Sequence, residues 1–147
     1  MPKPVTPFVG CDVFVTNERQ EILLIQRSDN CLWAMPGGCQ DLGETPAECA
    51  IRECFEETGF RVELIQLYGI FSSKCYEYCN YPWKENEFTH ILFQARLIGG
   101  EARLSEETKG IAWFSWDALP ELSDGHSKRI EYAFCKLKNS TVGAYFE

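Results

Sequence analysis

Apolar residues first gather over Phe8 to Val15 and again over Glu21 to Gln26, where Ile and Leu predominate, and Thr16-Asn17-Glu18-Arg19 between them reads as a turn. That pattern predicts a β-hairpin. A short apolar patch, Leu32-Trp33-Ala34-Met35, runs into Pro36-Gly37-Gly38, where the chain is expected to need backbone conformations cheap only for glycine. The loop that follows closes at Glu44-Thr45-Pro46-Ala47-Glu48. Thr45 suits a helix cap, Pro46 the first helical position, and Glu48 the reach back that completes a capping box. Ala47, Ala50, Ile51, Cys54, Phe55 and Thr58 then recur by threes and fours. This predicts a helix over 47–58 with that stripe turned inward and Gly59 placed to end it.

Farther on, Val62 to Ser72, Phe88 to Ile98 and Ile111 to Phe114 read as strands, with Gly99-Gly100 turning the chain. Helical spacing returns at Ile130, Ala133, Phe134 and Leu137, predicting a second helix over 127–137 packed on the sheet, and no period is evident beyond Asn139. Without repeats, low-complexity tracts or linkers, the 147 residues are expected to form one domain able to bury a core unaided.

Composition adds limits. Hydrophobic residues at 45% and charged ones at 24% describe an ordinary globular chain. The net charge of -8, with Lys and Arg scattered, argues against a surface for a nucleic acid polymer. An acidic protein that handles acidic phosphates recruits Mg²⁺ or a similar hard cation to cancel the repulsion. No apolar stretch is long enough for a membrane span and Met1-Pro2-Lys3-Pro4 begins no apolar leader, so the cytoplasm is the expected compartment. Of the eight cysteines, Cys11, Cys49, Cys54 and Cys135 sit in apolar stripes as small buried hydrophobes do, which favours reduced thiols. Cys75 and Cys79 have a spacing open to zinc, but His90 and His126, the two histidines present, form no short ligand pair with them.

On the 47–58 helix, Glu53, Glu56 and Glu57 fall within an arc of about 100°, opposite the apolar stripe, and so are expected to share one exposed face. Glu53 and Glu57 are one turn apart, and Glu56 and Glu57 lie in the last turn, where the helix dipole favours cations. Folding alone would not select this arrangement. A hard divalent cation bound by that face would reverse both penalties, whereas a solvated acidic face is the plain alternative. Arg52 is the nearby positive charge on the helix, suited to hold a glutamate or a loop through a forked ion pair.

Gly38-Cys39-Gln40-Asp41-Leu42-Gly43-Glu44, followed after seven residues by Arg52-Glu53-Cys54-Phe55-Glu56-Glu57-Thr58-Gly59-Phe60, resembles the signature box of the Nudix hydrolases. Seven identities at fixed spacing have a chance rate on the order of one in a billion per start position. Leu24-Ile25-Gln26-Arg27, Trp33 to Gly38 and Ile111 to Phe114 also look like recurring family segments, while Cys54 and Phe60 stand where a bulky aliphatic is usual. The resemblance implies an α/β (α+β) fold, an α/β/α sandwich with a mixed β-sheet between helices. It also implies metal-dependent hydrolysis of a phosphoanhydride in a nucleoside diphosphate linked to another moiety, with Mg²⁺ or Mn²⁺ as cofactor. Glu53, Glu56 and Glu57 match the metal-binding positions, the Gly38 carbonyl is a further ligand, and Glu44 matches a glutamate that acts indirectly. Glu53 is the expected base, assisted by Arg52. Glu107 is the alternative base if its loop folds over the metals, although Glu106 and Glu107 also fit a solvated pair. Arg27 matches a position that reaches substrate phosphate.

Tyr76-Glu77-Tyr78-Cys79-Asn80-Tyr81-Pro82-Trp83 carries rings suited either to stacking on a base or to filling the core edge or a homodimer contact. By the resemblance the substrate is a small nucleotide. Sugar nucleotides such as ADP-ribose come first, with nucleoside triphosphates and dinucleotides also open. A nucleotide-binding regulator that has lost the reaction is the rival reading, and it predicts a damaged box. A calcium module would need an alternating Asp/Asn loop that the chain lacks.

Overall fold

The computed structural model describes residues 5–76 and 86–147. In chain order its elements are β1 (Phe8–Val15), β2 (Ile22–Arg27), β3 (Trp33–Ala34), β4 (Gly37–Cys39), α1 (Pro46–Thr58), β5 (Phe60–Ser72), β6 (Phe88–Gly100), β7 (Thr108–Phe114) and α2 (His126–Lys138). Strands β4-β1-β6-β5 form a mixed sheet in which β1 runs parallel to β6, from Phe8 opposite Phe88 to Val15 opposite Ala95. A second, antiparallel sheet has the order β3-β2-β7.

The expected hairpin does not form as a ladder. A single bridge joins Thr16 to Ile22, and β1 and β2 then part into different sheets. The turn itself is present: the Asn17 side-chain carbonyl accepts from the Arg19 and Glu21 amides. Both strands are buried on both faces over most of their length, so each needs its own cover and neighbours.

Period-2 alternation along β1 supplies the layering. Cys11, Val13 and Val15 pack with Cys49, Ala50 and Cys54 of α1, while Phe14 joins Tyr68, Phe71 and Leu92 against Ile130, Ala133 and Phe134 of α2. Rings of Phe14 and Phe134 meet edge to face at 5.1 Å, a favoured aromatic geometry. The sandwich of strands between helices is therefore as expected, with the strands divided between two sheets in place of one.

The α1 boundaries follow their local signals. Thr45 has extended φ/ψ and its hydroxyl accepts from the Glu48 amide at 3.1 Å. Gly59 adopts φ 78° and its amide donates to the Phe55 carbonyl at 2.8 Å; a Cβ there would also meet the Glu101 carbonyl at 2.2 Å. The rotation of the helix differs from the expected one. Cys49, Ala50, Cys54, Glu57 and Thr58 are buried, Ile51 is exposed, and half-buried Phe55 lies beneath the Arg61 and Arg103 guanidinium groups at 5.5 and 5.2 Å. Cys135 is exposed, since it follows Phe134 by one residue and turns off the buried stripe. Gly99 and Gly100 remain paired with Arg61 and Phe60, ending the ladder without forming a separate turn. Beyond α2, Tyr145 bridges to Gly69 and stacks on Phe71 at 4.6 Å, covering part of the β5 edge. Among the described residues no helix is long and apolar enough to cross a membrane.

Candidate active site

Strand β4 delivers the chain to α1 and brings Gly37 and Gly38 against the helix. Neither glycine has a positive φ, so the expected need for special backbone conformations does not hold here. The constraint is proximity. A Cβ on Gly37 would lie 2.3 Å from Asp12 Oδ1, and one on Gly38 would lie 2.5 Å from Glu53 Cδ. Gly43, in the loop ahead of α1, is the one with φ 88°.

Arg52 ties this loop to the helix. Its Nε and Nη2 donate to the two Glu44 oxygens at 2.9 and 2.6 Å, a fork that lysine cannot reproduce. Nη1 reaches Glu53 Oε1 at 2.8 Å and Glu56 Oε2 at 3.2 Å, and Nη2 also donates to the Cys39 carbonyl. The Arg52 hydrogen bond, helped by the Asp41 amide, holds the Glu44 carboxyl down to about 2. Glu44 thus braces the loop against the helix.

Glu57 departs from expectation. It is 7% exposed, turned beneath Gly37, whose amide donates to its Oε1 at 2.7 Å. Burial pushes this carboxyl well above the ordinary range against the pull of that amide, and the Glu53, Glu107 and Asp12 charges push the same way. Glu53, half-buried, is also raised, by burial first and with Arg52 opposing. Glu56 stays exposed at the rim. The expected single solvent-facing trio is therefore one inward, one intermediate and one outward carboxylate, because the helix rotation carries Glu57 toward β4.

A cleft of about 560 Å³ gathers Gly38, Glu53, Glu57, Glu106, Glu107 and Arg27. The Ser28 amide donates to the Glu107 carbonyl at 3.0 Å, which draws that loop to the end of β2. Arg27 is oriented by a forked pair to Asp29, at 2.9 and 2.6 Å. As they stand, no three His, Cys, Asp or Glu side chains among the described residues converge on one point, Arg52 engaging Glu53 and Glu56. The donor set nevertheless fits a hard divalent cation: all its ligating atoms are oxygens, and such an ion would offset both the burial that chiefly raises Glu53 and Glu57 and the neighbouring negative charges that add to it.

Behind the cleft lies a polar pocket built from Asp12, His90, His126 and Arg129, which sequence reasoning did not single out. Asp12 in the middle of apolar β1, and Arg129 beside Ile130, were the available signals. Of the aromatic segment 76–83, Tyr76 is described and lines this pocket; the rest, including Cys79, lies outside the described residues. The described cysteines are all free thiols.

Strands held between two helices set a glycine strand against an acid-lined helix beside an open cleft, an arrangement able to gather phosphates and a cation. The chain belongs to the Nudix family: the NUDIX domain matches residues 6–134. It is 36% identical over 121 residues to a Bacillus subtilis protein provisionally named an 8-oxo-dGTP diphosphatase, covering 82% of this chain and 74% of that one. It is 32% identical over 128 residues to an ADP-ribose pyrophosphatase of Methanocaldococcus jannaschii, covering 85% and 72%. The structure of an ADP-ribose pyrophosphatase from Streptococcus suis matches with a TM-score of 0.75 and 29% identity over 96% of this chain and 98% of that one. The protein is a Nudix-type pyrophosphohydrolase acting on nucleotide-linked substrates.

Proposed function

We propose that the protein cleaves the phosphoanhydride of a nucleoside diphosphate joined to a second group, in a divalent-cation-dependent reaction, with ADP-ribose-like sugar nucleotides as the leading substrates. The observation that carries the reading is Glu57, a carboxylate buried beneath Gly37 beside Glu53 and Glu107 in one cleft. An unpaired buried charge of this kind is costly without a cation.

Glu53, Glu56, Glu57 and the Gly38 carbonyl would hold Mg²⁺ or Mn²⁺. When bound, such an ion withdraws charge from the phosphates as the anhydride breaks. Arg52 engages one oxygen of Glu53 and so orients the carboxylate. Its other oxygen takes the proton of the attacking water, a task suited to a carboxyl raised above its ordinary range. Glu107, across the same cleft, is the second candidate for that proton. Arg27, braced by Asp29, meets the substrate phosphates. The similarity to ADP-ribose pyrophosphatases supports sugar nucleotides, and the Bacillus subtilis relative supports testing nucleoside triphosphates beside them. Reduced thiols and nucleotide substrates together suit the cytoplasm.

The test is a panel of nucleoside diphosphate derivatives and triphosphates incubated with Mg²⁺ or Mn²⁺, with products read by chromatography. Chelation should abolish release, and Glu57→Gln should lower kcat by about 10²-fold or more. Near-normal turnover by Glu57→Gln would remove that residue from the site. Binding without hydrolysis across the whole panel would favour the regulator reading.

A further inference from the structure

The pocket behind the cleft adjoins it, with Gly37, Gly38 and Glu57 lining both. At its back Arg129 is 2% exposed, and its Nε lies 3.2 Å from Asp12 Oδ2 across most of the chain length. The contact is an ion pair by distance only. Arg129 Nε and Nη1 and Asp12 Oδ2 are all buried without a hydrogen bond. A buried charged donor and a buried carboxylate oxygen left unmade in this way are retained in a fold when something else completes them. A third donor stands beside them: His126 Nδ1 accepts from the Met35 amide at 3.2 Å, which leaves the ring proton on Nε2.

The lining also says what does not fit. Three carboxyl groups, of Asp12, Glu57 and Asp124, line the pocket beside the Arg27 and Arg129 guanidinium groups, a mixed set and not the cationic cluster that a phosphate selects. One wall is aromatic. The His90 ring stacks on Phe88 with an interplanar angle of 8°, and its Nε2 is taken up by the Tyr76 hydroxyl. A planar ring presenting a hydrogen-bond acceptor next to an N–H would complete the Arg129–Asp12 pair: Arg129 donates to the acceptor, Asp12 accepts from the N–H, and the ring lies along the aromatic wall. Among the parts of a nucleotide, that description is the edge of a base.

We propose that the buried Arg129–Asp12 pair is a specificity element that reads the hydrogen-bonding edge of the substrate's nucleobase, in the pocket behind the acidic cleft. The proposal rests on the reading of the substrate as a nucleotide. It makes selectivity depend on groups outside the signature helix and requires both partners, since a lone buried charge would repel what the pair attracts.

The experiment compares the best nucleotide substrate with an abasic analogue that keeps the pyrophosphate and both sugars. The wild type should show a KM at least about tenfold lower for the base-bearing compound. In Arg129→Met and in Asp12→Asn, checked for folding by circular dichroism, that ratio should fall to within about threefold of unity. A folded Arg129→Met that keeps the wild-type ratio overturns the proposal. A second measurement needs neither turnover nor a variant: calorimetric titration of the wild type with nucleoside 5′-monophosphates and with ribose 5-phosphate. Tighter binding of one or more monophosphates supports the proposal, and equal binding overturns it. Absence of hydrolysis across the panel would strike at the reaction, whereas loss of base discrimination in this titration strikes at the pocket alone.

Discussion

Replacing Gly38 with alanine tests how much of the activity depends on the position of one carboxylate. Gly38 has no positive φ, so alanine adopts its backbone without strain. The added Cβ would lie 2.5 Å from Glu53 Cδ and 2.7 Å from each of its oxygens. Ordinary carbon contacts begin at about 3.5 Å, so the carboxylate has to retreat by about 1 Å. That movement takes Oε1 off Arg52 Nη1, now 2.8 Å away. A displacement of about 1 Å in a catalytic group costs about 10²-fold in rate, or about 2.7 kcal/mol of barrier. Stability should suffer less. Overpacking costs about 1–3 kcal/mol, and here the obstruction is the end of a side chain that borders an open cleft, which points to the low end. The assay is kcat/KM on the best panel substrate beside a thermal melt. Gly99→Ala is the matched control, since nothing lies within 4 Å of its added Cβ and its φ is not positive. It should keep full activity and change stability by no more than about 1 kcal/mol. A folded Gly38→Ala enzyme within about threefold of wild-type kcat/KM would refute the claim that Glu53 must stand where it does.

The histidines of the interior predict a pH signature. Burial holds His90 down to about 2 against an ordinary 6.5, so between those values the unfolded chain binds a proton that the fold does not. Stability present above about 6.5 is therefore lost as pH falls, by up to about 1.4 kcal/mol per unit for this residue. Raised carboxyls such as Glu57 act in the opposite sense, which is why the difference between proteins is the quantity to measure. In urea unfolding, the destabilisation caused by His90→Gln should be about 2 kcal/mol smaller at pH 5 than at pH 7, and an equal effect at both would contradict a neutral buried ring. Arg27→Ala should raise KM about five- to tenfold with a much smaller change in kcat; an unchanged KM would place Arg27 outside substrate binding.

The signals legible in the sequence were those whose causes are local. Thr45, Pro46 and Gly59 bound α1 because capping and a left-handed terminus involve groups only a few residues apart. The signature spacing likewise put Gly38, Glu44, Arg52, Glu53 and Glu57 on one loop and helix, and the structure joins them through Arg52 and the Gly37 amide. A helical period, however, gives the spacing of a buried stripe and not the angle at which neighbours receive it. Glu57 turned inward and Ile51 outward because β1 and β4 lie where they do. The pairing of β1 with β6, a partner about eighty residues away, likewise follows from the need to cover two apolar faces, which no turn signal encodes. Asp12 and Arg129 meet only in the folded chain. Their charges could be read in the sequence, but their pairing depends on β1 and α2 packing across the sheet, where burial makes each group need the other.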